Sequence, residues 1–475
     1  MATSPTETIR FDLAVIGTGG AGMAAAIKGA ELGCSVALIE AGTLGGTCVN
    51  VGCIPSKTLV RAAEAYERAH RPAFAGLQVH ADGVDWSALM HHKDGLVEQL
   101  RQHKYRDVLA AYQDYISLWQ GRARLQADGG VAIEGGPTLA AERVVVATGA
   151  SPHIPAIEGI ENVEVLTSTT AMELTHQPRS LLVVGGGSIG VELGQTLARL
   201  GTEVTLLQRN PYLLPGHEPA LSERLAGYLR AEGLQVVAEA TPVHIAQDGG
   251  DKVVTARVAG EQKTFRAEHV LMATGRAPNT QDLGLAAAGV ACNADGAIAV
   301  SDTLQTSQPH VYAAGDVTDC PKLVYVAAAG GGIAAENALQ GDAQSLDLAA
   351  CPEVVFSDPQ VATVGLTAGQ ARERGYSVKT ATLPLSEVPR ALVAGDTRGA
   401  IHLVANADSD QLLGAHVLAA EGGETIQAAA LALRWGATVR DLRRTLFPYL
   451  VQVEGLKLAA QAFETDPSKL SCCAG

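Results

Sequence analysis

The sequence predicts an α/β fold in which two Rossmann-like dinucleotide-binding domains precede a C-terminal α+β domain. Three observations carry this prediction. A G-x-G-x-x-G turn follows an apolar run near the N-terminus, the same pattern returns from Gly185, and after about residue 346 the glycine turns give way to alternating apolar segments. Such alternation is the mark of an antiparallel sheet with helices, an interface or lid.

The first element is FDLAVIGTGGAGMAAAIKGAELGCSVALIEAG: strand, glycine turn, Ala-rich helix, second strand, and an acid at the tip. Gly17, Gly19 and Gly22 occupy the fingerprint positions, with Gly20 between them, and Glu40 ends VALIE. Gly17 permits the tight turn, Gly19 lets backbone approach a pyrophosphate at the helix N-terminus, and Glu40 can accept from ribose hydroxyls.

The second is SLLVVGGGSIGVELGQTLARLGTEVTLLQRN, with Gly185, Gly187 and Gly190 in the same positions and Ser188 opening the helix. Here Gln208 replaces the ribose-reading acid and Arg209 follows it. A cation in place of an acid favours a 2′-phosphate, hence NADPH. The alternative is that Arg209 points to solvent.

The run ERVVVATGASP carries Thr148 and Gly149, and its echo EHVLMATGRAPN carries Gly275, each closing a strand-like stretch. In PHVYAAGDVTD, Asp316 stands either near a second phosphate or polyol chain or as a helix N-cap. These punctuation marks divide the chain into 1–150, 151–277, 278–345 and 346–475.

Composition sets outer limits. The chain has 475 residues, 47% hydrophobic and 18% charged, which is too apolar for disorder and long enough for about three domains. Its net charge of −15 and lack of a long Lys/Arg cluster exclude nucleic acid and anionic membrane surfaces as expected partners. The apolar stretch from Leu323 to Ala335 is shorter than the roughly 18 residues needed to cross a bilayer, so no membrane insertion is expected. The opening MATSPTETIR has no signal-peptide character, and eight cysteines cannot make a secreted disulfide scaffold, so a cytoplasmic location is expected.

Those cysteines are placed, however. GGTCVNVGCIPSK sets Cys48 and Cys53 at a spacing that suits one helical turn bringing two thiols together, with Lys57 four residues on. Beside a bound nucleotide, a redox-active disulfide is the natural reading. A zinc site is the competitor, and it would want two further ligands at recognisable spacing. KLSCCAG then ends the chain with adjacent Cys472 and Cys473.

In order, GTGGAG, the Cys pair, ATG, GGGSIG, ATGRAPN and AAGD resemble the flavin-dependent pyridine nucleotide-disulfide oxidoreductases. The resemblance implies FAD on the first turn, held by Gly17, Gly19, Gly20, Gly22, Glu40, Gly46, Thr47, Lys57, Thr148, Gly149 and Asp316. It implies NADPH on the second, held by Gly185, Gly187, Ser188, Gly190, Gln208, Arg209 and Gly275. Lys57 would pair with Glu192 near the flavin, Cys53 would lie against the ring as a thiolate, and Cys48 would be the interchange thiol. The last domain would be a dimerisation domain.

The sequence departs from the disulfide-reducing members in LFPYLVQVEGLKLAAQ. Phe447 precedes Pro448 where those members carry the acid-base His needed to release a thiol. Two soft tail thiols and the missing His resemble the branch that reduces Hg(II), because ligand exchange between thiol pairs needs no such proton donor. For that branch the metal ligands would be Cys48, Cys53, Cys472 and Cys473, with Tyr105 and Tyr449 assisting. The substrate would be a thiol complex of Hg(II), taken up by a homodimer with active sites shared between subunits. The N-terminal C-x-x-C metal module of fuller members is expected to be absent. A flavin-dependent disulfide reductase resembling dihydrolipoamide dehydrogenase, and a thiol carrier without chemistry, remain the alternatives.

Overall fold

Unbroken apolar runs, unlike alternating ones, mark strands covered on both faces. Leu13, Ala14 and Val15 are fully buried, as are Leu181 to Val183 to within 1%. The computed structural model describes residues 9–466 and 469, which group into two units.

The first unit gathers the chain up to Ser56, Ala88–His153 and Gly275–Leu346. Strands Ile116–Gln120, Val36–Glu40, Ile9–Ile16 and Thr138–Val146 lie in that order, all parallel. On the free edge of Thr138–Val146, strand Val311–Ala313 pairs in parallel with the C-terminal half. An antiparallel hairpin, Ala123–Leu125 and Val131–Ile133, takes the N-terminal half.

The glycine-rich apolar stretch expected near Leu323 is the helix Val324–Gln340, buried against the helix Gly20–Glu31. A Cβ on Gly331 would overlap the Ala21 carbonyl, so the two backbones touch. Among the described residues no helix is long and apolar enough to cross a membrane.

The second unit holds Lys57–Ser87, Ile154–Thr274 and the chain from Asp347. It contains a parallel sheet in the order Gln235–Val237, Glu203–Leu207, Ser180–Val184, His269–Met272. An antiparallel meander, Ala240–Asp248, Asp251–Val258 and Glu261–Ala267, follows the chain beside it. The alternating segments after residue 346 form the expected antiparallel sheet, in the order Glu353–Val355, Gln360–Gly365, Leu412–Ala419, Ala400–Asn406, Val378–Pro384, with helix Gly422–Arg434 packed on it.

Five buried or partly buried charges form a network within this unit. Arg199 meets Glu232 at 2.7 Å and Asp358 at 2.8 Å, and Arg398 meets the same two carboxylates at 3.1 and 3.0 Å and Asp396 at 2.8 Å.

Two histidines on neighbouring strands set an acid limit. His416 is 1% exposed, its Nε2 lies 3.1 Å from the Leu366 carbonyl, and its Nδ1 has no hydrogen-bond partner. Burial holds its pKa down at about 4 and also lowers that of His402. Between the ordinary histidine value and about 4 the unfolded chain therefore binds more protons than the folded one. Stability is full at neutral pH and falls by about 1.4 kcal/mol per pH unit through that window. Denaturant midpoints between pH 7.5 and 4.5 should fall more steeply for the native protein than for His416→Gln. Parallel curves would remove His416 as the cause.

Candidate active site

The two glycine turns repeat one construction. Gly17 has φ +106° and Gly185 φ +112°, a region open to glycine at little strain. A Cβ on Gly17 would overlap the Ala147 carbonyl, and one on Gly185 the Ala273 carbonyl. Likewise a Cβ on Gly22 would overlap the Gly17 carbonyl, and one on Gly190 the Gly185 carbonyl. The first and third glycines thus let helix and strand pack in backbone contact.

The middle glycines face space. Nothing lies within 4 Å of a Cβ on Gly187, and on Gly19 only the Gly46 Cα at 3.9 Å. The helices that follow, Gly20–Glu31 and Ser188–Arg199, have no side-chain N-cap and no acid in the first turn. Their leading N–H groups are thus left to an anion, and each turn fits a pyrophosphate. Gly20 packs instead on Val324, whose Cγ2 would stand 3.2 Å from its Cβ.

Glu40 is engaged more closely than its ribose-reading assignment implies. Its Oε2 accepts from the Thr18 N–H at 3.0 Å and hydroxyl at 2.5 Å, and its Oε1 accepts from the Gly42 N–H at 2.7 Å. The Thr18 hydroxyl in turn accepts from the Gly45 N–H at 3.0 Å, tying the first turn to the loop that leads to Cys48. Gly46, at φ +63°, comes so near Gly19 that a Cβ would lie 2.5 Å from its Cα.

One helical turn was expected between the thiols, and the chain breaks there instead. Cys48 lies in the short helix Gly46–Val51, and Cys53 opens the helix Cys53–His70. Between them Gly52 adopts φ −131°, ψ −113°, where a Cβ would stand 2.8 Å from the Thr47 carbonyl oxygen and 3.2 Å from the Cys48 Cα. Asn50 secures the break: its Nδ2 donates to Leu44 and Gly46 carbonyls at 3.0 and 2.9 Å, and its Oδ1 accepts from Arg101 Nε at 2.8 Å.

Arg101 leads into a π-helical turn, Gln102–Arg106, that carries Tyr105. Single π turns re-aim a side chain within a helix. Burial, with the Cys48 and Cys53 sulfurs nearby, pushes the Tyr105 phenol above its ordinary pKa. At neutral pH Tyr105 is therefore a donor beside both thiols.

Arg276 was not singled out by sequence, yet several site residues meet at it. It contacts the Ala150 carbonyl, reaches the Thr47 hydroxyl at 3.4 Å and Asp316 at 3.7 Å, and interacts electrostatically with Cys53. Burial lowers the Arg276 pKa and raises that of Asp316. Asp316 is not the N-cap that it could have been, because Leu323 occupies that position and seven residues, including Pro321, separate Asp316 from the helix. Thr148 and Gly149 close the other side, with the Thr148 hydroxyl donating to the Asn279 carbonyl at 2.7 Å and Asn279 Nδ2 to the Thr148 carbonyl at 2.9 Å. Gly275, at φ +112°, groups with this unit and accepts from the His153 N–H at 2.9 Å.

In the second unit Lys57 Nζ meets Glu192 Oε2 at 2.6 Å and lies 4.8 Å above the Phe356 ring. The Phe356 N–H donates to the other Glu192 oxygen at 2.9 Å. Glu192 is 5% exposed, so ion pair, backbone bond and cation–π contact fix the ammonium in one place. Gln208, 4% exposed, turns inward and donates to the Tyr212 carbonyl at 3.1 Å, whereas Arg209 is exposed with its guanidinium available.

Phe447 packs half-buried against the apolar core of the antiparallel sheet, and Tyr449 is 49% exposed in the following turn. Leu446 and Trp435 nearby in sequence are also exposed, an unusual density of solvent-facing apolar side chains. Cys472 and Cys473 lie outside the described residues.

The profile of the pyridine nucleotide-disulphide oxidoreductases matches residues 11–331, and that of their dimerisation domain matches residues 351–460. A mercuric reductase of Lysinibacillus sphaericus is 47% identical over 98% of this chain and 85% of its own length. One from Streptomyces lividans is 45% identical over 98% of both. Among solved structures, the Cu(II) complex of the HOCl-induced flavoprotein disulfide reductase RclA from Escherichia coli superposes with a TM-score of 0.85 at 29% identity, covering 95% of this chain and 99% of that one.

Proposed function

The chain belongs to the pyridine nucleotide-disulphide oxidoreductase family, and from that premise we propose that it reduces Hg(II) to Hg(0) with NADPH, through FAD and the Cys48–Cys53 pair. Residues 1–150 and 278–345 hold FAD in this reading, 151–277 hold NADPH, and 346–475 form the dimerisation domain. FAD, when bound, relays the electron pair from NADPH to the thiol-bound metal.

The observation that carries the choice of substrate is Phe447. By the resemblance, Phe447, half-buried on the antiparallel sheet, takes the place of the proton donor that a disulfide reductase needs, while Cys48 and Cys53 have the Tyr105 phenol beside them and Cys53 also the Arg276 guanidinium. That set can exchange soft metal ligands but lacks the histidine that protonates a leaving thiolate.

The protein's own residues then divide the work. Cys472 and Cys473 take Hg(II) from its small-thiol complex and pass it to Cys48 and Cys53 of the other subunit. Tyr105 and Tyr449 donate to sulfur during exchange, and Arg276 offsets negative charge at Cys53. Lys57, fixed by Glu192, presents a cation to the flavin. Two electrons from NADPH reduce Hg(II), and the thiolates are released because Hg(0) has little affinity for them. A cytoplasmic location follows from the need for NADPH.

Anaerobic NADPH oxidation assayed with Hg(II) and excess thiol, against lipoamide and glutathione disulfide, tests the proposal. Turnover is expected with Hg(II) alone, and disulfide turnover without Hg(II) turnover would overturn it. For the nucleotide, Arg209→Ala should lower kcat/KM for NADPH about ten-fold, the worth of one charge-assisted hydrogen bond, and leave NADH unchanged. Equal losses with both nucleotides would show that Arg209 does not read the 2′-phosphate.

A further inference from the structure

We propose that His176, Glu268 and His269 form a binding site for a divalent cation of the zinc type, separate from the thiol chemistry. His176 Nε2 lies 3.6 Å from Glu268 Oε1, and His269 Nε2 lies 4.0 Å from the same oxygen. One ligand atom from each of the three residues falls within 4.8 Å of the others. Two ligands bound tetrahedrally to Zn²⁺ at about 2.0–2.1 Å stand about 3.4 Å apart. Small rotations of His176, whose side chain is 63% exposed, and of the Glu268 carboxylate toward His269 close the difference.

The donor chemistry matches as well. His269 Nε2 is buried and makes no hydrogen bond, a costly state for a polar atom that a cation would relieve. The Arg179 N–H donates to Glu268 Oε2 at 2.7 Å and leaves Oε1 directed at the two rings. That bond orients a metal ligand through its second oxygen. The Arg179 guanidinium is drawn away by Asp251 at 2.8 Å, so it does not compete for the site. Two imidazoles and one carboxylate suit Zn²⁺ and leave a fourth position for water.

Position in the fold indicates what the cation does. His269 is the first residue of strand His269–Met272 and pairs with Leu181, near the start of Ser180–Val184. The glycine turn at Gly185 lies past the other end of that strand. A cation here clamps the loop through His176 to the entry of the sheet and takes no part in electron transfer, so it acts on stability.

The test uses FAD-loaded protein reduced with NADPH, alkylated at its thiols, stripped with chelator and titrated with Zn²⁺, with bound metal measured by atomic emission. One equivalent per chain is expected, with a rise in melting temperature. His176→Ala and His269→Ala should each weaken binding at least about ten-fold and abolish the rise. Before alkylation both variants should retain the flavin band and native Hg(II)-dependent NADPH oxidation. No stoichiometric Zn²⁺ in the native protein, or unchanged binding in His176→Ala, would overturn the proposal. The exposed position of His176 makes that variant decisive even where His269→Ala fails to fold.

Discussion

Cys53→Ser should abolish Hg(II)-dependent NADPH oxidation, by at least about 10³-fold, while the protein remains yellow and its flavin is still reduced by NADPH. A serine hydroxyl is a hard donor that stays protonated at neutral pH, so it cannot hold a soft cation as the thiolate does. The fold has little reason to change. Cys53 sits just after the break at Gly52, and the bonds that hold that break belong to Asn50 and Arg101. Cys48→Ser should act in the same way. Rapid mixing with NADPH followed by Hg(II) separates the two half-reactions, and normal metal reduction by either variant would remove the pair from the mechanism.

Gly22→Val and Gly190→Val should separate the cofactors. Each new side chain collides with a carbonyl five residues back, at the strand-to-helix turn, Gly17 in the first case and Gly185 in the second. Backbone is the obstacle, so relief requires the helix to move from the strand, at a cost of about 1–3 kcal/mol or more. The moved helix N-terminus then no longer meets the pyrophosphate. Gly22→Val should purify colourless. Gly190→Val should purify yellow, with a flavin that dithionite reduces and NADPH does not. The absorption spectrum reads both outcomes, and a yellow Gly22→Val with native activity would contradict the assignment of the first turn.

The sequence made both turns legible because their chemistry is local: a strand, three glycines at fixed spacing and a helix specify one geometry without help from distant residues. The antiparallel sheet was legible in part: the edge strand Val378–Pro384 alternates in burial, whereas Leu412–Ala419 is buried along its whole length and reads as a nearly unbroken apolar run. What lay hidden depends on partners far away in the chain. Arg276 looked like part of a strand-end signature, and only folding brings it to Thr47 and Asp316. Thr18 is silent in sequence, yet it joins Glu40 to Gly45. The break between the thiols was misread because five-residue spacing fits a helical turn, and Gly52 carries no mark of the contact that its missing Cβ permits. Likewise no local pattern announces the π turn that carries Tyr105.

The charge network of Arg199, Arg398, Glu232, Asp358 and Asp396 bears on how the second unit responds to heat. Two cations stand among three anions, so each guanidinium is held by at least two carboxylates, and the buried pairs are screened little by salt. The penalty for withdrawing ions from water shrinks as temperature rises, while the gain from apolar burial levels off. Close to melting, this junction therefore keeps its strength when the apolar cores on either side have stopped gaining theirs, and the nucleotide sheet and the antiparallel sheet that it joins come apart late.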